Sequence, residues 1–282
     1  MFPTPIEKKS EATRITYQAV LPIALIFWLL PLIAVAVFSI KPEADFTNAN
    51  YWGLPTSFEG AANYGRVFFD SDMPRYLLNS VLITVPTVIG AVALSCMTGF
   101  ALGIYKFRSN LWIFFMFVAG NFVPFQILMV PVRDLTLDLG LYNTKTGLVL
   151  FHIAFQTGFC TLFMRNFIRA LPFELIEAAR VEGVSEIRIF WYVVLPLMKP
   201  ALAALAVLIF TFIWNDYFWA VVLTQGAESQ PVTAGLTSFN AQYRAAYHLM
   251  SAGSIVAALP PVAMFFLMQK HFIAGLTLGA VK

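Results

Sequence analysis

Residues 17–40 read YQAVLPIALIFWLLPLIAVAVFSI, twenty-four positions without a charged side chain. At about 1.5 Å per residue this run is about 36 Å long as a helix, enough to cross a hydrocarbon layer of about 30 Å with some tilt. Lys8, Lys9 and Arg14 precede it, and Ala34-Val35-Ala36 loosely imitates a leader-peptide cleavage site. The apolar core of such a leader is only about 7–15 residues, so the longer run reads as a first membrane span. Five further runs follow at 80–105, 111–132, 147–164, 200–224 and 252–272. The intervals hold what the runs lack: Lys106, Arg108 and Ser109 after the second, and Asp134, Asp138 and Asn143 after the third. The fourth run is the shortest and carries His152 and Gln156, so neighbouring helices are expected to shield it from lipid.

Composition agrees. The 282 residues are 59% hydrophobic and 12% charged, where a soluble domain is nearer about 25% charged. That excludes a soluble enzyme. The net charge of +3 is carried by scattered Lys and Arg, which excludes a nucleic-acid groove. Cys96 and Cys160 each lie inside an apolar run, so neither a disulfide framework nor a cysteine zinc site is expected. His152 and Cys160 have no further ligand nearby in sequence, and no metal site is expected. The fold class is all-α, a polytopic membrane protein with six transmembrane helices. With the N-terminus inside, twelve of the eighteen Lys and Arg fall on the inner side, so both termini are expected to be cytoplasmic.

The inner loop 165–199 carries most of the functional signal. Leu171-Pro172-Phe173-Glu174 reads as a helix start, with Pro at the first helical position and Glu174 in the first turn. A short helix is expected through Leu175, Ile176, Glu177, Ala178, Ala179 and Arg180. Gly183 then tolerates the positive φ of a helix stop, Ser185 can cap a second helix, and Leu195-Pro196 is expected to end it. Ala178 and Ala179 allow close docking into a groove, with Leu175 and Ile176 as apolar anchors for a partner protein.

Glu177-Ala178-Ala179, Gly183, Val193 and Leu195-Pro196, at these spacings, resemble the EAA loop of the membrane subunits of bacterial ABC importers. Val193 replaces the more usual Ile, and Glu182 the more usual Asp. Trp214-Asn215-Asp216-Tyr217 and residues 275–282, GLTLGAVK, are similar to the maltose-type (MalG-like) permeases of sugar importers, and the resemblance covers residues 75–282. It implies a type I ABC importer transmembrane fold in a bacterial inner (cytoplasmic) membrane. Residues 1–74 would hold the cytoplasmic N-terminus, the first span and a periplasmic loop. Residues 75–272 would form the five-helix transporter core, and 273–282 a cytoplasmic tail.

The resemblance also implies that the EAA segment is a coupling helix seated on a cytoplasmic ATPase, with Glu177, Ala178, Ala179, Gly183, Leu195 and Pro196 as coupling residues. The chain has neither a Gly-Lys nor a Gly-Gly dipeptide, hence no Walker A loop and no ABC signature of the common form. ATP and Mg would be bound by partner ATPase subunits, with no cofactor on this chain. The implied complex holds two ATPase subunits, a second, related permease and a periplasmic solute-binding protein, surrounded by membrane lipid.

Polar residues inside the spans are the candidates for solute contact. Asp216 lies among Trp214, Asn215, Tyr217, Phe218 and Trp219. Carboxylates and amides satisfy sugar hydroxyls, and aromatic faces cover the C–H surface of a sugar ring. The same residues equally fit a buried interhelical pair beside an aromatic belt. Asn121, Gln126, His152 and Gln156 are further candidates, each also readable as an interhelical hydrogen bond. Ala91, Ser95, Gly99 and Gly103 form a small-residue ladder that suits close packing, within the chain or against a second permease, or a pore wall. Pro86, Pro124, Pro131 and Pro260-Pro261 are expected to bend their spans. The aromatic-rich loop after the first span is expected to be ordered and, with Gln225 to Met250, to receive the binding protein. Rival classes are an ion-coupled secondary transporter, disfavoured by the scarcity of ionisable residues at mid-membrane, and an ABC permease for a non-sugar solute.

Overall fold

The computed structural model of the chain describes residues 10–239 and 246–278, those from 270 onward as backbone only. Every regular element among the described residues is helical. Four helices are long and apolar enough to cross a membrane, and six if each of two bent helix pairs counts as one span. The chain divides into two compact units, one running to Ser71 and including Phe239–Val256, the other holding Asp72–Ser238 and continuing from Ala257.

In the first unit, α1 (Glu11–Ile40) contains the run quoted above, extended by a turn and a half and started by Ser10, whose hydroxyl accepts from the Thr13 N–H at 3.4 Å. Its side chains stay outside, Phe27 and Trp28 being three-quarters exposed, as expected of a helix whose apolar surface meets lipid or another subunit. The end of α1 is closed by side chains from the following loop. Asn63 Nδ2 donates to the Ser39 and Lys41 carbonyls at 3.0 and 2.9 Å. The fully buried Lys41 Nζ donates to the Asn50 and Tyr51 carbonyls at 2.7 and 3.0 Å. A buried ammonium is tolerable only when its donors are met. The loop is ordered, forming α2 (Glu43–Thr47) and α3 (Gly60–Phe69). The Thr56 hydroxyl and N–H both donate to Asp45, which holds its carboxyl below the usual carboxylate value.

In the second unit, α4 (Met73–Ile104) runs on through Pro86 and packs by the predicted ladder along α7 (Lys145–Ile168). The start of α7 is capped by Thr144, whose hydroxyl accepts from the Gly147 N–H at 2.9 Å. A Cβ on Gly99 would lie 2.9 Å from Met164 Cβ and 3.0 Å from the Arg165 nitrogen, and one on Gly103 would lie 3.2 Å from Ile168. The GxxxG face is therefore packed within the chain, and at Gly99 a side chain would force two backbones apart. Thr98 and Thr161 share a 2.7 Å hydrogen bond across the same seam.

Between these two helices the third span departs from a single rod. It comprises α5 (Asn110–Gly120), a 3-10 turn at Phe125–Leu128 and α6 (Met129–Asp138), with an 86° bend between its halves. Pro124 stands in the break, where it has no N–H to give to a continuing helix. After α7 the loop forms α8 (Phe173–Val181) and α9 (Glu186–Ile189). The second helix does not stop at Leu195-Pro196. It passes through a π segment, Phe190–Val194, into α10 (Leu195–Leu197) and turns at Met198. In the π turn the Leu195 N–H reaches back five residues to the Phe190 carbonyl, and this shifted register is compatible with the N–H that Pro196 lacks.

The second bent pair lies at Met198, where the segment Glu186–Leu197 meets α11 (Lys199–Trp214) at 75°. Beyond α11, Asn215 to Tyr217 are non-helical and α12 (Phe218–Leu223) resumes. A short α13 (Val232–Gly235) follows, its Val232 N–H donating to Ser80 Oγ at 2.8 Å. The final helix, α14 (Tyr247–Leu278), contains Pro260 and Pro261, gives its part to Val256 to the first unit and its remainder to the second. Of residues 275–282, positions 279–282 lie outside the described residues, as does 240–245 of the expected binding-protein surface.

Candidate functional site

Two places in the second unit carry functional geometry. The first is the break after α11. Asn215 Nδ2 turns back to the Thr211 carbonyl at 2.9 Å, closing the helix end. Asp216 then starts α12: its Oδ2 accepts from the Ala220 N–H at 3.0 Å and its Oδ1 from the Trp219 N–H at 3.4 Å. These orphan donors of a helix start are met by a carboxylate at the favourable end of the dipole. The carbonyl of Asp216 accepts from Thr233 Oγ1 at 2.5 Å, tying the break to α13. His152 on α7 places Nε2 3.5 Å from Asp216 Oδ2. The imidazole is buried, and neither ring nitrogen makes a hydrogen bond among the described residues.

Asp216, His152 and Trp219 border one cavity of 310 Å³. Its polar wall is Asn121, His152, Gln156 and Asp216, and its aromatic wall includes Phe125 and Trp219. The Trp219 ring is held against Phe151 with centroids 4.1 Å apart. Amide, carboxylate and imidazole facing aromatic rings can bind a polyhydroxylated solute, hydroxyls on one side and ring C–H surface on the other. Of the expected solute contacts, Asp216, Asn121 and Gln156 thus share a cavity.

The others stand elsewhere. Trp214 is buried and its Nε1–H donates to the Ala257 carbonyl at 3.0 Å, joining α11 to α14. Tyr217 is half exposed, and Asn215 and Gln126 are exposed and border no part of this cavity. Trp219 comes to the cavity because Asp216 caps a helix: the residue three further on is brought round beside the carboxylate. An Asp three positions before an aromatic after a helix end was the available signal.

The second place is the α8–α9 hairpin. The Gly183 N–H donates to the Arg180 carbonyl at 2.9 Å and the Val184 N–H to the Ala179 carbonyl at 3.0 Å, while Gly183 has φ of +76°. This is the Schellman arrangement, which meets the last carbonyls of α8 and needs a residue at positive φ. Ser185 stands at the start of α9 but its hydroxyl makes no capping bond. The hairpin is fastened instead by Arg180, whose Nε and Nη2 donate to Glu186 at 2.6 and 3.1 Å, and by Tyr105 Oη, which donates to Glu186 at 2.8 Å. The carboxylate raises the already high pKa of Arg180 further.

Ile176 is buried in the core and anchors α8 to its own bundle, so it is not free to anchor a partner. The surface left for docking holds Leu175, half exposed, Glu177, Ala178 and the almost fully exposed Val181, with Ala179 half-buried. Leu195 and Pro196 sit at the start of α10 beyond the π turn.

The chain resembles known proteins over nearly its whole length. The chain is 34% identical over 271 residues to the osmoprotective compounds uptake permease protein GgtD of Synechocystis sp., covering 94% of this chain and 90% of that one. It is 32% identical to the arabinooligosaccharides transport system permease protein AraQ of Halalkalibacterium halodurans, covering 89% and 90%. Among solved structures, a chain of a bacterial ABC transporter involved in the import of the acidic polysaccharide alginate superposes with a TM-score of 0.80 at 25% identity, covering 95% of this chain and all of that one. Residues 91–277, two-thirds of the chain, match one family throughout. The chain belongs to the binding-protein-dependent transport system inner membrane components, the non-catalytic, multi-pass permease subunits of ABC importers.

Proposed function

We propose that this permease passes a sugar or sugar-like polyhydroxylated solute across the bacterial inner membrane, through the cavity beside Asp216, with both termini in the cytoplasm. The observation that carries this reading is the meeting of Asn121, His152, Gln156 and Asp216 with aromatic rings at the break in the fifth span. The relatives support the class: one is named for arabinooligosaccharides and another for melibiose, raffinose and stachyose import. The twofold excess of Lys and Arg on the α8 side of the chain supports the orientation. The exposed face of α8 would seat in a cleft of a cytoplasmic ATPase, and closure of two such ATPases, binding ATP and Mg, would move α11 through the turn at Met198. The complex would contain a second, related permease and a periplasmic binding protein that delivers the solute.

Purifying the assembled complex and measuring ATP hydrolysis tests the whole reading. Activity raised by the sugar-loaded binding protein is expected. Uptake that follows an ion gradient and ignores ATP would overturn it.

The cavity has its own test. Asp216→Asn keeps an acceptor for the start of α12 but loses the charge, so uptake KM is expected to rise about tenfold, the worth of one hydrogen bond to a charged group. Stimulated ATPase activity should persist. An unchanged KM removes Asp216 from the solute path.

A further inference from the structure

The end of the second unit that bears α8 also holds a cavity of 720 Å³, separate from the one beside Asp216. The last turn of α4, the first turn of α5, the last turn of α7 and Phe173 at the start of α8 border it, and it is open to the surface. Four cations border it, Lys106, Arg108, Arg165 and Arg169, and no Asp or Glu is among the bordering residues. Glu186, reached through Tyr105, is already engaged by Arg180. Four like charges around one space repel each other unless a counter-charge enters.

Arg165 sharpens the point. Its residue is 7% exposed, its Nε donates to the Leu102 carbonyl at 3.1 Å, and its guanidinium lies 3.9 Å from the centre of the Phe114 ring. Its two terminal nitrogens, four of its five N–H donors, make no hydrogen bond or ion pair among the described residues. The residue is buried, but these terminal nitrogens are not among the buried unpaired atoms, so its free fork is open to the cavity and suits a planar or tetrahedral oxyanion. The start of α5 adds to it: the Asn110 N–H donates to the Phe107 carbonyl at 3.0 Å, but Ser109 provides no side-chain cap for the N–H of Leu111, which borders the cavity. Asn110 is fixed there by donating to the Leu102 and Tyr105 carbonyls at 3.1 and 2.8 Å.

The surroundings indicate how the anion arrives. Phe107, Leu111 and Trp112 are 43%, 54% and 76% exposed, giving the charged cavity an apolar flank suited to acyl chains. We infer that this cavity is a binding site for a phosphate group, supplied as the headgroup of an anionic phospholipid. Bound there, the phosphate bridges Arg165 and Arg169 of α7 to Lys106 and Arg108 ahead of α5. It also rests against Phe173, so lipid occupancy steadies the link from α7 to α8.

The test uses the assembled transporter purified in mild detergent. Lys106→Gln, Arg108→Gln and Arg169→Gln, all exposed positions, are combined in one variant that leaves core packing intact; Arg165→Gln is the second variant. Native mass spectrometry reads bound phosphatidylglycerol, and a second arm titrates inorganic phosphate against the delipidated complex. Wild type should retain phosphatidylglycerol, and the triple variant should bind it roughly a hundredfold more weakly in nanodiscs of mixed phosphatidylcholine and phosphatidylglycerol. Saturable binding of inorganic phosphate by wild type alone, with no lipid retained, would assign the site to the free ion. Equal retention of lipid and equal phosphate binding by wild type and both variants would overturn the inference.

Discussion

Gly183→Pro leaves the permease in the membrane and reduces solute uptake by at least about a hundredfold. The expected loss comes from the backbone of the α8–α9 turn. Gly183 has φ of +76°, and proline locks φ near −65°. Proline also removes the N–H that meets the Arg180 carbonyl at 2.9 Å, and the Val184 N–H to Ala179 depends on the same turn. Together these cost about 3 kcal/mol or more, which is at least a hundredfold against the native hairpin. Nothing lies within 4 Å of a Cβ built at Gly183, so the strain is confined to the backbone of the turn and the spans are expected to stay as they are. Gly183→Ala, strained in φ by only about 1–2 kcal/mol, should lose uptake by roughly tenfold. The readouts are transport in vesicles, ATP hydrolysis with and without loaded binding protein, and membrane abundance. Normal uptake by Gly183→Pro at normal abundance would show that the hairpin does not transmit force.

Much of that hairpin was legible because turn chemistry is local. Gly183 had to sit where the chain takes positive φ, and Pro172 stands at the start of α8, one position before its first helical residue. What local reading could not give was which apolar residue faces inward. Leu175 and Ile176 are adjacent, and only tertiary packing decides that Ile176 is buried and Leu175 exposed. Ser185 shows the same limit, since a good capping residue was displaced in that role by Arg180 and Tyr105 gripping Glu186.

In the membrane the apolar runs located the spans but not their continuity. A straight helix and an interrupted one have the same composition, so the bend at residues 121–124 and the non-helical residues 215–217 are invisible to hydropathy. Asn121 and Asn215 mark both breaks as helix-end residues, each donating to a carbonyl four residues back. Asp216 stood out in sequence because it is charged in an apolar run. Its partner His152 lies 64 positions away, and only the packing of α7 against α12 brings the two to 3.5 Å.

Gly99→Leu is expected to prevent assembly of the transporter. At Gly99 the obstruction is backbone: the new Cβ would fall 2.9 Å from Met164 Cβ and 3.0 Å from the Arg165 nitrogen, neither of which can swing aside as a side-chain tip can. Relief requires α4 and α7 to separate, and this seam includes the Thr98–Thr161 hydrogen bond and the fully buried Cys160 and Met164. Overpacking a close seam costs about 1–3 kcal/mol where side chains can adjust, and more where they cannot. Separation also moves Arg165, the residue after Met164, away from the Leu102 carbonyl that it holds at 3.1 Å. Gly103→Ala is the informative contrast: its nearest neighbour is a methyl of Ile168 at 3.2 Å, which can yield by a few tenths of an ångström. Gly65→Leu, with nothing within 4 Å of its Cβ, controls for bulk alone. Size-exclusion profiles and thermal melting of the co-expressed complex read the result. Loss of the assembled peak for Gly99→Leu, with Gly103→Ala and Gly65→Leu near wild type, is the expected pattern. A fully assembled Gly99→Leu complex melting with wild type would mean that the α4–α7 distance is not fixed by the small-residue face, and the seam would have to be redrawn.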